Sequence, residues 1–71
     1  MNKQLRSTLV ESRGEISQTE MAEKFGVKQQ TYSHWEVGRS TPSPKIMKAM
    51  ELYFSIPMEE LFPDVFNSIN E

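Results

Sequence analysis

Gln29 and Gln30 stand side by side in the stretch GVKQQTYSHWEVGRSTP, residues 26–42, and Ser33 and His34 follow one helical turn later. A side-chain amide offers donors and an acceptor but neither a charge nor a labile proton, so it recognises more readily than it catalyses. On a helix, 29/33 and 30/34 are i, i+4 neighbours, and the four side chains share one uncharged face. Base edges in the DNA major groove ask for such a face. A glutamine amide can pair in bidentate fashion with N6 and N7 of adenine, worth ~1–3 kcal/mol of discrimination. Lys28 and Arg39 flank the run with positive charge. Gln18 opens the preceding helix, where a backbone amide and a side-chain amide can together grip a phosphate oxygen. Taken alone, the two glutamines read equally as a solvated helix face. It is the frame around them that favours base contact.

Other chemistry is poorly provided for. His34 is the single histidine and there is no cysteine. A metal site needs several ligands and a general base needs a partner and a pocket. Neither can be assembled near His34, which is left as a DNA contact or an exposed bystander. There is no glycine-rich phosphate loop, and 71 residues leave no room for a deep cleft. The expectation is a protein that is not an enzyme, with no cofactor, no metal and no small-molecule substrate.

The elements that must carry this face read as helices. Strand-like alternation is absent over any length, and apolar residues recur at helical spacing. A first helix is expected over about residues 3–12, with Leu5 and Leu9 one turn apart, Val10 beside them and Gly14 as its stop. A second is expected over 18–25, with Ser17 as N-cap and Glu20 at the capping-box spacing. Its inward face is Met21, Ala22 and Phe25, and Gly26 ends it with positive φ. A third spans about 29–37, holding Tyr32, Trp35 and Glu36 inward or at the edge. A fourth begins after Ser43 with Pro44 at its first position and carries Ile46, Met47, Met50 and Phe54. A short fifth turn after Pro57 carries Met58, Leu61 and Phe62. The methionines read as core filler, and Lys45 and Lys48 as a solvated face. Two short helices about a glycine corner form a helix-turn-helix, and the small Ala22 suits their close crossing.

The net charge is −2, but it is unevenly spread. Residues 1–48 carry a net of +3 and residues 49–71 a net of −5. Screening confines a charge's influence to about 10 Å at 0.1 M salt, so a polyanion meets the local basic face rather than the sum. No apolar stretch approaches the roughly 20 residues a membrane span needs, and residues 1–4 lack the apolar core of a signal peptide. A soluble cytoplasmic location is expected.

The stretch from Ser17 to Phe62 resembles the Cro/repressor-type helix-turn-helix regulators, the lambda-repressor-like or XRE family. The residues carrying the resemblance are Ser17-Gln18, Ala22, Gly26-Val27, Trp35-Glu36-x-Gly38-Arg39, Pro42-Ser43 and the spaced Ile56, Leu61 and Phe62. It implies an all-α, compact five-helix DNA-binding domain over residues 1–62, followed by a short C-terminal tail, 63–71. It also implies a recognition helix at 28–36 with Gln29, Gln30 and His34 reading bases and Ser33 on the same face. Gln18, Arg39, Ser40 and Thr41, with Lys28 beside them, would hold phosphates, and Lys3 or Arg6 would add non-specific affinity. Three positions depart from the family pattern. The connection at residues 14–17 is one residue longer than usual. Val10 therefore falls where the family often has the arginine that pairs with the Glu of Trp-Glu, so Glu36 must find another partner or face water. Lys28 replaces the usual Ser or Thr N-cap, and Glu51 stands where a small residue is usual.

The resemblance implies a regulator of transcription, a repressor by expectation, binding double-stranded DNA as a homodimer. Phe62, Val65, Phe66 and Ile69 form one apolar stripe at i, i+3, i+4 and i+7. This stripe is either a cap on the monomer's own core or a dimer seam. The rival function is an antitoxin-like or accessory protein-interaction module that uses the acidic C-terminal third and the apolar tail. No sensor domain follows, so control is expected from partner proteins, abundance or proteolysis.

Overall fold

The Ser17 hydroxyl accepts from the Glu20 backbone N–H at 3.1 Å, and the Glu20 carboxylate accepts from the Ser17 N–H at 3.4 Å. That reciprocal box opens one of six helices in the computed structural model, which describes residues 6–67. They are α1 (Ser7–Arg13), α2 (Gln18–Lys24), α3 (Gln29–Glu36), α4 (Pro44–Phe54), α5 (Met58–Leu61) and α6 (Pro63–Asn67). No strand occurs among the described residues. Five of the helices answer to the five expected, and α6 is the short C-terminal extension.

Local chemistry sets most of the boundaries. Gly14 follows α1 at φ 61°, ψ −129°, a region that a Cβ makes costly. Gly26 sits at φ 73°, and a Cβ built there would meet no atom within 4 Å. Its role is therefore conformational rather than a matter of close packing. Ser43 accepts from the Ile46 N–H at 3.3 Å, with Pro44 at the first helical position. Lys28 makes no side-chain cap, so α3 begins without that support.

One boundary differs from expectation. α1 opens at Ser7, after Arg6 at φ −81°, ψ 81°, rather than at residue 3. Lys3 and Leu5 lie outside the described residues. α4 ends on Ser55 in the left-handed region, φ 58°, ψ 38°, where no glycine marks the stop.

The core joins Leu9, Met21, Ala22, Tyr32, Trp35, Met47, Met50, Leu61 and Phe62. Tyr32 and Trp35 meet edge to face at 5.9 Å and lock α3 onto the body through one of its faces. Phe25, expected to point inward, is half-buried and packs edge to face on Tyr53 at 5.9 Å. Glu51 finds a use: its carboxylate accepts from the Met58 N–H at 3.3 Å, covering the first turn of α5, and from Lys48 at 3.2 Å.

The apolar tail stripe resolves largely inward. Of the two readings of the stripe, Phe62 answers to the cap: it is fully buried in the monomer's own core, which leaves it no part in a dimer seam. Val65 and Phe66 are half-buried against that core, and Ile69 lies outside the described residues. Asp64 is bonded to the buried Arg6, so the described part of the tail is built into the domain rather than appended to it.

Candidate nucleic-acid interface

Tyr32, Trp35 and Glu36 are the buried side of α3, so the residues between them are turned out. Gln29 and Gln30 are exposed, and Ser33 and His34 are half-exposed beside them. The side chains of Gln30, Ser33 and His34 make no hydrogen bond among the described residues, so their donors and acceptors are unspent. Lys28 and Arg39 are exposed, and their charges make no ion pair there. A phosphate would therefore not have to displace a protein partner from either cation.

Gln18 and Gln29 touch. Gln29 Nε2 donates to Gln18 Oε1 at 2.7 Å, joining the first residue of α2 to the first residue of α3 across the glycine turn. Gln18 Nε2 in turn donates to Glu36 Oε1 at 2.8 Å. The side chain expected to grip a phosphate is thus half-buried and already held between the Gln29 amide and the buried Glu36 carboxylate.

Glu36 has its partner. Arg13 Nε donates to Glu36 Oε2 at 2.6 Å and Arg13 Nη2 to Oε1 at 3.3 Å, while Arg13 Nη1 donates to the Ile16 carbonyl at 2.9 Å. Residues 10 and 13 are i, i+3 neighbours on a helix. Arg13 thus supplies, one turn after Val10 on α1, the cation that the family resemblance led one to expect at position 10. Hydrogen bonding from Glu36 raises the Arg13 pKa further above its ordinary value. The Tyr32 hydroxyl is buried with no hydrogen-bond partner among the described residues. Burial pushes its pKa well up.

A second arginine holds the segment after α3. Arg6 is buried, and its five N–H groups are all used. Nε and Nη2 donate to the two Asp64 oxygens at 2.9 and 2.8 Å, and Nη2 also donates to Thr41 Oγ1 at 3.1 Å. Nη1 donates to the Trp35 and Ser40 carbonyls at 3.0 and 2.8 Å. The Arg6 backbone N–H donates to the Glu36 carbonyl at 2.8 Å, and its guanidinium lies 5.0 Å from the Phe62 ring centre. Hydrogen bonding from Arg6 holds the Asp64 carboxyl below its usual pKa. Arg6 therefore serves the fold rather than offering a loose charge. It fixes Ser40 and Thr41 by their carbonyl and hydroxyl, while Arg39 stays exposed between them and the end of α3. Sequence spacing points to neither Arg6 nor Arg13 in these roles, because each is defined by partners distant along the chain.

The geometry is that of two helices about a glycine corner, the second projecting an exposed polar face beside two cations that make no ion pair among the described residues. A family model described as "Helix-turn-helix" (HTH_3) matches residues 10–61. The chain belongs to this XRE/Cro-C1-type helix-turn-helix family. Such domains bind DNA, and they are typically non-catalytic. No curated protein and no solved structure gives a significant match to the chain. The HTH_3 span begins after Arg6 and ends before Phe62 and Asp64, so the Arg6 network lies partly outside it. No helix among the described residues is long and apolar enough to cross a membrane.

Proposed function

We propose that this helix-turn-helix protein is a sequence-specific transcriptional regulator that reads the major groove with α3. The observation that carries the reading is the exposed polar face of α3, Gln30, Ser33 and His34 making no side-chain hydrogen bond among the described residues, beside the Gln18–Gln29 contact. Gln29 and Gln30 read bases, with Ser33 and His34 at the margin of the contact. Lys28, Arg39, Ser40 and Thr41 lie against phosphates, and Gln18 links the phosphate contact to the base contact.

The regulator acts as a homodimer on a two-fold operator. An eight-residue helix is about 12 Å long and can reach only a few base pairs. Each good base contact is worth ~1–3 kcal/mol, so one helix cannot single out a site in a genome, whereas two in successive major grooves can. The half-sites would lie about 34 Å apart. Val65, Phe66 and Ile69 remain the proposed contribution of the tail to that seam. Repression is the simplest outcome, since occupancy alone blocks access to the bound duplex.

A protein-interaction role on the same fold is the second reading. Leu52 and Tyr53 on α4 are 69% and 44% exposed, and the last third of the chain is acidic. Selection of bound duplexes from a random DNA pool separates the two. The regulator reading expects enrichment of an inverted repeat whose half-sites are about ten base pairs apart. A pool that emerges without any sequence preference overturns it.

A further inference from the structure

The Arg13–Glu36–Gln18–Gln29 chain of hydrogen bonds has a direction. A carboxylate only accepts, so Gln18 must turn its Nε2 toward Glu36 Oε1, where it lies at 2.8 Å. That leaves Gln18 Oε1 facing the other way. Gln29 must therefore present Nε2 to it, at 2.7 Å. Of the three polar positions on the Gln29 amide, one N–H is spent on Gln18. What remains for a base is the Oε1 acceptor and a single N–H.

We propose that the buried Glu36 carboxylate is a positioning residue for sequence readout, fixing through Gln18 which end of the Gln29 amide meets a base. This rests on the proposal that Gln29 reads bases, and deepens it. One acceptor with one donor matches adenine, which shows an N6 donor and an N7 acceptor in the major groove. Guanine shows two acceptors, O6 and N7, and would need two donors. The N–H committed to Gln18 removes the second donor, so the relay selects adenine and rejects guanine. Arg13 holds Glu36 in place with two hydrogen bonds, and Glu36 is itself buried, so the polarity is set from inside the domain.

Glu36→Gln reverses the relay. Its Oε1 stays with Arg13 and its new Nε2 donates to Gln18 Oε1. Gln18 Nε2 then donates to Gln29 Oε1, which leaves both Gln29 N–H groups for the groove. Gln18→Met cuts the relay without touching the Arg13–Glu36 pair and frees the Gln29 amide to present either end.

The test is random-pool duplex selection by the 71-residue chain and by its Gln29→Ala, Gln18→Met and Glu36→Gln variants. The unmodified chain is expected to favour adenine at one position per half-site, and Gln29→Ala to lose that preference. Gln18→Met should narrow the adenine-over-guanine ratio at this position by about 5-fold or more, and Glu36→Gln should move the preference toward guanine. A Glu36 that only supports the fold would weaken all duplexes alike and leave the ratio unmoved. If Gln29→Ala flattens the position while Gln18→Met, or a folded Glu36→Gln, keeps the original ratio, the relay is overturned and base reading by Gln29 stands. If Gln29→Ala leaves the profile unchanged, base reading by Gln29 fails and the relay with it. Should Glu36→Gln lose its helical circular dichroism, Gln18→Met alone decides.

Discussion

Arg6 and Asp64 are 58 positions apart in the chain and form a two-pronged ion pair, with Nε and Nη2 at 2.9 and 2.8 Å from the two carboxylate oxygens. The same guanidinium holds the Trp35 and Ser40 carbonyls and the Thr41 hydroxyl. One side chain therefore ties the start of the described chain, the end of α3, the segment beyond it and α6.

Replacing Arg6 by Ala is expected to cost ~2–4 kcal/mol. Two carbonyls lose their donor and a buried volume empties, while Asp64 is exposed enough to regain water. For a domain of this size the melting temperature should fall by more than about 10 °C. Thermal denaturation followed by circular dichroism measures it. A fall of a degree or two would show that the network is ornamental.

Acid should act on the same pair. The Asp64 pKa is lowered in the folded state by Arg6, so its contribution to stability is complete above the unfolded aspartate pKa, about 3.9. The contribution is lost as pH falls through the depressed folded pKa. Urea midpoints measured from pH 6 down to about 2 should therefore decline less steeply for Asp64→Asn than for the parent. Parallel declines would assign the acid sensitivity to other carboxylates.

Arg39 offers a cleaner electrostatic test, because its charge makes no ion pair among the described residues. Arg39→Ala should leave the melting temperature within about a degree or two and weaken all duplexes by a similar factor. The log–log salt slope should become shallower by about 0.9, the contribution of one phosphate. Fluorescence anisotropy over a salt series reads both quantities. A change in base preference would move Arg39 from the phosphate to the base contacts.

Gly26→Ala isolates backbone strain. No atom lies within 4 Å of the added methyl, so the cost comes from φ 73° alone. About 1–2 kcal/mol is expected. Because the turn aims α3, operator affinity should fall by more than the unfolded fraction explains. Equal stability of the two proteins would mean that the corner can be built another way.

What could be read from the sequence was local. Ser17 and Glu20 sit within one turn of each other, Pro44 follows its cap directly, and Gly14 and Gly26 carry their conformational freedom in their identity. The outward placing of Gln29 and Gln30 was legible because Tyr32 and Trp35 claim the other side of the helix. What escaped depends on distant partners. Val10 drew attention as a missing cation, yet the compensating Arg13 stands one turn on, and only the packing of α1 against α3 shows that the two positions are equivalent. The end of α4 carries no mark in the sequence: Ser55 adopts a left-handed conformation that serine does not advertise. The spacing of Phe62 leaves core cap and dimer seam both open, because periodicity marks a face without saying what covers it.

The reach of the Arg6 network beyond the HTH_3 span has a practical side. A fragment trimmed to residues 10–61 would discard Leu9 and Phe62 from the core and both ends of the ion pair. The set of contacts that closes the core is thus longer than the homology that identifies the family, and a minimal fragment that keeps the Arg6–Asp64 pair must begin no later than residue 6 and run past residue 64.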